Sequence, residues 1–481
     1  MAAKGVYKWS GIDRVLNSMM TFGGNIVLAR LLDPSDFGLV AMVAIFIAIA
    51  QNISGCGMSD GLIHKHQPTE RDYSTVFVFN ATLGLILGAV LVGLGWPLST
   101  FFGHPEIRNI MIATGICFFF MTLSFTQETR MRKELDMKKM AIVRLSSTAS
   151  ATTLGIWLAV EGYGYWALVA THTMVSVFSF IFYLLVSRWI PRIAFYTESF
   201  REFFSYGVHL MLAYVAQQIG RNINTAMLGR FSTPANSGLY SQAQKLEEVP
   251  FAITEAVFNW PFLAVLCNEQ DMTARKGLCS QMHRRLWLIN LVIGMLMLAV
   301  SLPAFNLLYG PKWDAAVPVF RLLILFGISS SIKLFYQTVF KAYNRTRLVR
   351  NLTFIEVILQ LGLLTIALLY NGSIMTVALT QVLASVIMLI VSAGWYVRVL
   401  QIQGATVAGE FLRTAAEPLA ATAITFALSY LWQGASPLLG CLFTGIAFAA
   451  GFLGVCSITR PPYYALMITY IKNRIRSKSK I

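Results

Sequence analysis

A chain of 481 residues that is 56% hydrophobic, only 12% charged and has a mean hydropathy of +0.62 is not an ordinary water-soluble domain, whose surface needs about twice that share of charge. The net charge of +16 and pI of 9.7 do not signal nucleic acid, since that requires a basic face on a polar domain and these cations lie between apolar runs. Six scattered cysteines with no CxxC pair, and no GxxxxGK[ST] loop, argue against a disulfide framework, a metal site and direct ATP hydrolysis.

Read from the N-terminus, the start MAAKGVYKWSG lacks the apolar core and small-residue cleavage site of a secretory signal, so the first apolar run is expected to persist. A hydrocarbon core roughly 30 Å thick takes about 20 apolar residues per helix. Segments of that kind are predicted over 9–31, 37–57, 76–101, 107–126, 140–160, 164–187 and 206–229. They continue over 238–266, 285–309, 316–341, 352–371, 374–397, 411–433 and 438–458. The runs are too long, and too poor in alternation, for barrel strands. The expected fold is therefore an all-α integral membrane protein of about fourteen transmembrane helices.

Cations fix the orientation, because positively charged connections stay cytoplasmic during insertion. About 28 of the 38 Lys and Arg fall on one side, including Arg130, Arg132, Lys133, Lys138 and Lys139, and the tail from Arg460 to Lys480. The other side holds Arg30, Arg108, Arg230 and Lys312. Both termini are thus predicted cytoplasmic, and the tail is read as a plain positive-inside anchor, with contact to anionic headgroups as the alternative. His64 and His66 are neighbours in a loop without a third ligand type, so neither metal nor cofactor is expected.

The chain also repeats itself. Arg30, Pro34, Gly38 and Leu39 recur at identical spacing as Arg230, Pro234, Gly238 and Leu239, each set at the joint between a first and a second helix of six. Two six-helix lobes, 1–200 and 201–400, related by a pseudo-twofold axis along the membrane normal, are expected, with an added helix pair over 401–458 and a basic tail over 459–481.

Polar residues at helical spacing mark candidate lining. The first helix carries Arg14, Asn17, Ser18, Thr21 and Asn25, and its counterpart carries Gln217, Gln218, Arg221, Asn222 and Asn224. Arg14 lies about 8 Å from the inner end of its span and can snorkel, whereas Arg221 lies about 22 Å in and cannot. Lys333 and Glu255 are similarly deep from the outer side, and Arg144 and Glu356 lie near the inner surface. Ionised groups at such depth face water or a partner, so each is either a cavity group or half of an interhelical pair. Arg14, Asn25, Gln217, Arg221, Asn224 and Lys333 are the candidate substrate-binding residues, and Glu255 and Glu356 the candidate carriers of a coupling ion. Arginine and lysine suit a phosphate or pyrophosphate, and Asn and Gln suit hydroxyl groups.

The segments GCGMSDGLIHKHQPTERDYSTVFVFN (55–80), ARLLDPSDFGLVAM (29–42) and SGLYSQAQKLEEVP (237–250) carry a family resemblance. So do QETRMRKELDMKKMAIVR (127–144) and KAYNRTRLVRNLTFIEV (341–357). Together they resemble the Wzx-like flippases of lipopolysaccharide, O-antigen and capsule repeat units, in the polysaccharide transporter group of the MATE/MOP exporter superfamily. The resemblance implies a MATE-like fold in the bacterial inner membrane, translocating a polyprenyl-pyrophosphate-linked oligosaccharide from the cytoplasmic to the periplasmic leaflet by alternating access. It implies a polymerase and glycosyltransferases as partners, and membrane lipids as surroundings. The alternative is an ion-coupled MATE-type exporter of small cationic compounds, for which Asp13, Glu247, Glu248, Glu255 and Glu356 supply acids. A membrane enzyme of polyprenyl-linked sugars needs a sizeable outward loop, and the outward joints, such as 160–164 and 433–437, are short.

Overall fold

The computed structural model describes residues 2–55, 58, 62–63, 65, 67–187, 189, 193–432 and 434–461, with the side chains of 2–8, 10, 201–214, 216–217, 260, 406, 408 and 413 left aside. Fourteen long helices follow one another among the described residues. They are α1 (Ala2–Leu31), α2 (Pro34–Gly55), α3 (Glu70–Phe102), α4 (Glu106–Lys133), α5 (Met137–Val160), α6 (Tyr165–Ser187) and α7 (Thr197–Phe231). Next come α8 (Pro234–Thr254, continuing to Asn268), α9 (Met272–Ala299), α10 (Val317–Ala342), α11 (Thr346–Tyr370), α12 (Ile374–Leu400), α13 (Gly404–Ser429) and α14 (Pro437–Thr459). Ten are long and apolar enough to cross a membrane. The other four, α1, α5, α7 and α13, carry the polar stripe, a Ser/Thr run with Arg144, the Gln/Asn/Arg cluster and the acids Glu410 and Glu417, which lower their hydropathy.

Helix ends follow local chemistry. Thr69 and Asp72 form a reciprocal capping box at the start of α3, and Gly103 closes that helix in the left-handed region at φ 76°. The basic stretch after 126, expected as a loop, is instead the last two turns of α4, and the chain reverses at Leu135 (φ 59°) before α5. Arg130 and Arg132 pair there with Glu134 and Glu128 one turn away, which stabilises a helix projecting beyond the apolar run. The predicted span 285–309 is likewise broken, since α9 ends at Ala299 and a separate short helix, Ser301–Leu308, follows.

Two compact units emerge, one of residues 1–242 with 353–377, the other of 243–352 with 378–481. In the first, small residues let helices close on one another, as hydrocarbon offers no hydrophobic drive for helix association. A Cβ on Gly88 or Gly115 would press on the other's carbonyl oxygen, and one on Gly84 would overlap Thr122, so α3 and α4 pack backbone to backbone. Gly155 fits Thr171 of α6 and Gly24 fits Thr152 of α5. In the second unit α10 is the most enclosed helix, with Phe320, Phe335, Tyr336 and Phe340 all buried.

Candidate functional site

The α1 stripe divides along its length. Arg14, Ser18 and Thr21 are exposed, whereas Asp13, one residue from Arg14, is turned inward and buried. Asp13 accepts an ion pair from Arg144 of α5 at 3.3 Å, and Arg144 also pairs with Glu128 of α4 at 2.6 Å. Arg132 reaches the same Glu128 oxygen at 2.6 Å. Thr148 donates to Asn17 at 2.8 Å. This chain of charges holds α1, α4 and α5 together and leaves a recess of about 390 Å³ whose polar lining is Asp13, Arg14, Asn17, Ser18, Arg132 and Arg144. Arg144 is thus an interhelical ion-pairing residue, and Arg14 a group facing open space. Replacing Arg144 with Met leaves the buried Asp13 without this cation and is expected to cost about 1–3 kcal/mol, read as a lower melting temperature in detergent that Arg144→Lys partly restores.

Further along α1 the stripe meets α8. Asn25 donates to Gln242 at 2.9 Å and Gln242 donates back at 3.4 Å, a reciprocal amide pair with Gln242 fully buried. Asn224 donates to the Tyr240 hydroxyl at 3.1 Å, and Ser237 donates to the Thr225 carbonyl at 3.0 Å. Beyond this polar layer, the two repeated joints touch each other. A Cβ on Gly38 would overlap the Pro234 carbonyl and one on Gly238 would overlap the Pro34 carbonyl, so only glycine at both positions lets the starts of α2 and α8 meet. The two joints that share a spacing in sequence are thus in reciprocal contact in space.

The remaining candidates fall in two places. Arg221 is exposed on α7, next to Gly220, whose carbonyl accepts from Gln360 of α11 at 2.8 Å, and Glu356 lies one turn before Gln360. Arg221 and Glu356 therefore flank the same contact of α7 with α11. Lys333 and Glu255 belong to the second unit: Lys333 is buried on α10, and Glu255, half-buried, opens a π-helical turn, Glu255–Asn259, that interrupts α8. Such turns recur at functional positions because they redirect side chains within a helix. The Gln217 side chain, the tail cations from Lys472 onward and His64 and His66 lie outside the described residues.

Sequence reasoning missed a buried polar cluster in the second unit. His283 of α9, 1% exposed, places Nδ1 2.8 Å from Glu410 Oε2 of α13 and Nε2 2.9 Å from both the Tyr336 hydroxyl and Trp287 Nε1. Its ring packs against both Tyr336 and Tyr396, at centroid distances of 5.6 and 5.5 Å, and those two rings touch each other at 4.7 Å. Indole N–H only donates, so Nε2 accepts and the ring proton sits on Nδ1, donated to Glu410. A histidine next to a Trp one turn on was the only local signal; Glu410 lies 127 residues away.

Long apolar helices, glycine-mediated packing and polar side chains exposed along α1 and α7 define a multi-pass membrane protein. A family model described as "Polysaccharide biosynthesis protein" matches residues 27–318. The chain belongs to that family. It is 24% identical over 319 residues to the succinoglycan biosynthesis transport protein ExoT of Rhizobium meliloti (strain 1021), covering 65% of this chain and 64% of that protein, just under two thirds of its length. Among solved structures it resembles the lipid II flippase MurJ in an inward closed conformation, with a TM-score of 0.73 at 11% identity over 95% of this chain and 99% of MurJ. It also resembles an inward-facing multidrug resistance MATE family transporter of the MOP superfamily, with a TM-score of 0.65 at 15% identity over 80% and 94% of the two chains. The fold is that of the MOP transporters.

Proposed function

We propose that this chain is a flippase that moves a polyprenyl-pyrophosphate-linked oligosaccharide from the cytoplasmic to the periplasmic leaflet of a bacterial inner membrane, for surface polysaccharide assembly. The observation that carries the reading, beside the family, is the exposed polar face of α1. A spanning helix that leaves Arg14, Ser18 and Thr21 uncovered needs water or cargo against them, because lipid does not solvate a cation. The exposed charges on the two stripes are the cations Arg14 and Arg221, while Asp13 is turned in toward Arg144. An anionic cargo fits that arrangement better than the cationic drug of the alternative reading. Hydroxyl-rich sugar costs roughly 1–3 kcal/mol per unsatisfied group in an apolar medium, and Asn, Gln and Ser along the stripes supply the missing partners.

Alternating access then takes the lobes 1–200 and 201–400 as rocking bodies, with 401–458 as an added pair and 459–481 as a cytoplasmic tail. Arg14, Asn25, Gln217, Arg221, Asn224 and Lys333 are assigned to the headgroup and Glu255 and Glu356 to a coupling ion. Both termini are assigned to the cytoplasm, and a polymerase and glycosyltransferases are taken as partners.

Vesicles containing the purified chain and a labelled polyprenyl-pyrophosphate oligosaccharide test this directly. Flipping no faster than in empty vesicles rejects the proposal. Arg221→Ala is expected to slow flipping roughly tenfold to a hundredfold, the worth of one charge-assisted hydrogen bond, while membrane insertion is unchanged.

A further inference from the structure

On the side predicted to be cytoplasmic, the ends of three helices, each by residues of the second unit, converge on a pocket of about 860 Å³. Lys276 comes from the first turns of α9, Arg345 and Arg347 from the turn into α11 at Asn344 (φ 57°), and Arg398 from the last turn of α12 before Gln401 (φ 54°). No carboxylate lines it, and among the described residues none of these four cations forms an ion pair. The nearest acid in sequence, Asp271, is occupied in capping α9 by accepting from the Thr273 and Ala274 amides.

The contrast with Arg275 is informative. That side chain donates to the Leu266 and Ala342 carbonyls and lies over the Tyr343 ring, so it ties helix ends together. Among the described residues, none of the four pocket cations donates to a helix-end carbonyl in this way. The positive-inside tendency explains why they lie on this side, but not why they crowd into one recess, where like charges repel. The recess is also amphipathic: Arg398 lies over the exposed Trp395 ring at 5.3 Å, and Leu348 and Val399 supply apolar wall. Its volume falls within the range of about 300–1,000 Å³ typical of small-molecule sites.

We infer that this pocket binds the phosphate headgroup of an anionic phospholipid from the adjacent leaflet, with the glycerol and upper acyl chain against Trp395. Cations supply the headgroup charge balance, and the apolar wall is what a free phosphate ion would leave unused. Basic pockets between helices on this side of a membrane are suited to such headgroups.

The test titrates the purified full chain in neutral detergent with short-chain phosphatidylglycerol, phosphatidylcholine, inorganic phosphate or a polyprenyl pyrophosphate. Saturable binding of phosphatidylglycerol alone is expected. Arg345→Gln, Arg347→Gln and Arg398→Gln together should weaken it roughly a hundredfold, and Arg347→Gln by itself about fivefold. The charge-matched control Lys138→Gln, Arg285→Gln and Lys341→Gln should leave it unchanged. Equal loss in both triple variants means diffuse surface attraction and overturns the inference. So does competition by inorganic phosphate at the same affinity, and so does tighter, Arg347-dependent binding of the polyprenyl pyrophosphate, which would make the pocket a cargo site.

Discussion

Replacing Gly38 with valine is expected to abolish flipping while the protein still inserts, because the new side chain occupies the place of the Pro234 carbonyl. Backbone cannot yield as a flexible side chain can, so the starts of α2 and α8 must part. Overpacking of this kind costs typically 1–3 kcal/mol. The contact is reciprocal, and Gly238→Val pushes on Pro34 in the same joint, so the double variant should cost less than the sum of the singles. In the proposed orientation this joint closes the periplasmic end of the polar stripe, one to three turns beyond Asn25. A cysteine at Asn25, in a background without other cysteines, should therefore react with a membrane-impermeant reagent added outside in Gly38→Val and stay protected when Gly38 is present. Protection in both, with normal flipping, would remove the joint from any gating role.

The largest expected loss of stability is at His283. Leucine there fills similar space but leaves the Trp287 indole N–H and the Tyr336 hydroxyl without their acceptor and deprives Glu410 of a donor. Glu410 keeps Ser280 at 3.1 Å and Arg284 at 3.4 Å, which softens the effect. With unsatisfied buried groups costing roughly 1–3 kcal/mol each, the variant is expected to lose about 2–4 kcal/mol. The two ring nitrogens can be tested apart. Asparagine reproduces the donor toward Glu410 and glutamine reproduces the acceptor toward Trp287, so each should melt between wild type and His283→Leu. If His283→Leu melts like wild type, the cluster is incidental to folding.

Element boundaries were legible because apolar length is a direct readout of the membrane. The expected spans 140–160, 164–187 and 374–397 coincide within a few residues with α5, α6 and α12. Sequence reasoning stopped short where helices continue into water, as α4 does through Lys133, because hydropathy marks the lipid boundary and not the end of hydrogen bonding. Asp13 and Arg14 show the same limit for the site. Neighbours in sequence, they differ by about 100° around the helix axis, and that angle alone sends one into a pair with Arg144 and leaves the other exposed.

Composition and apolar run length determined by themselves that the chain is helical and membrane-embedded, since both depend on solvent preference, and the repeated Arg-Pro-Gly-Leu spacing marked two joints of like local turn geometry. Tertiary structure alone decided which polar groups are mutually satisfied: Asn25 with Gln242 across 217 residues, His283 with Glu410 across 127, and the two glycine joints with one another. A buried polar group in hydrocarbon must find a partner, but nothing local specifies which one. That choice is made when the helices pack.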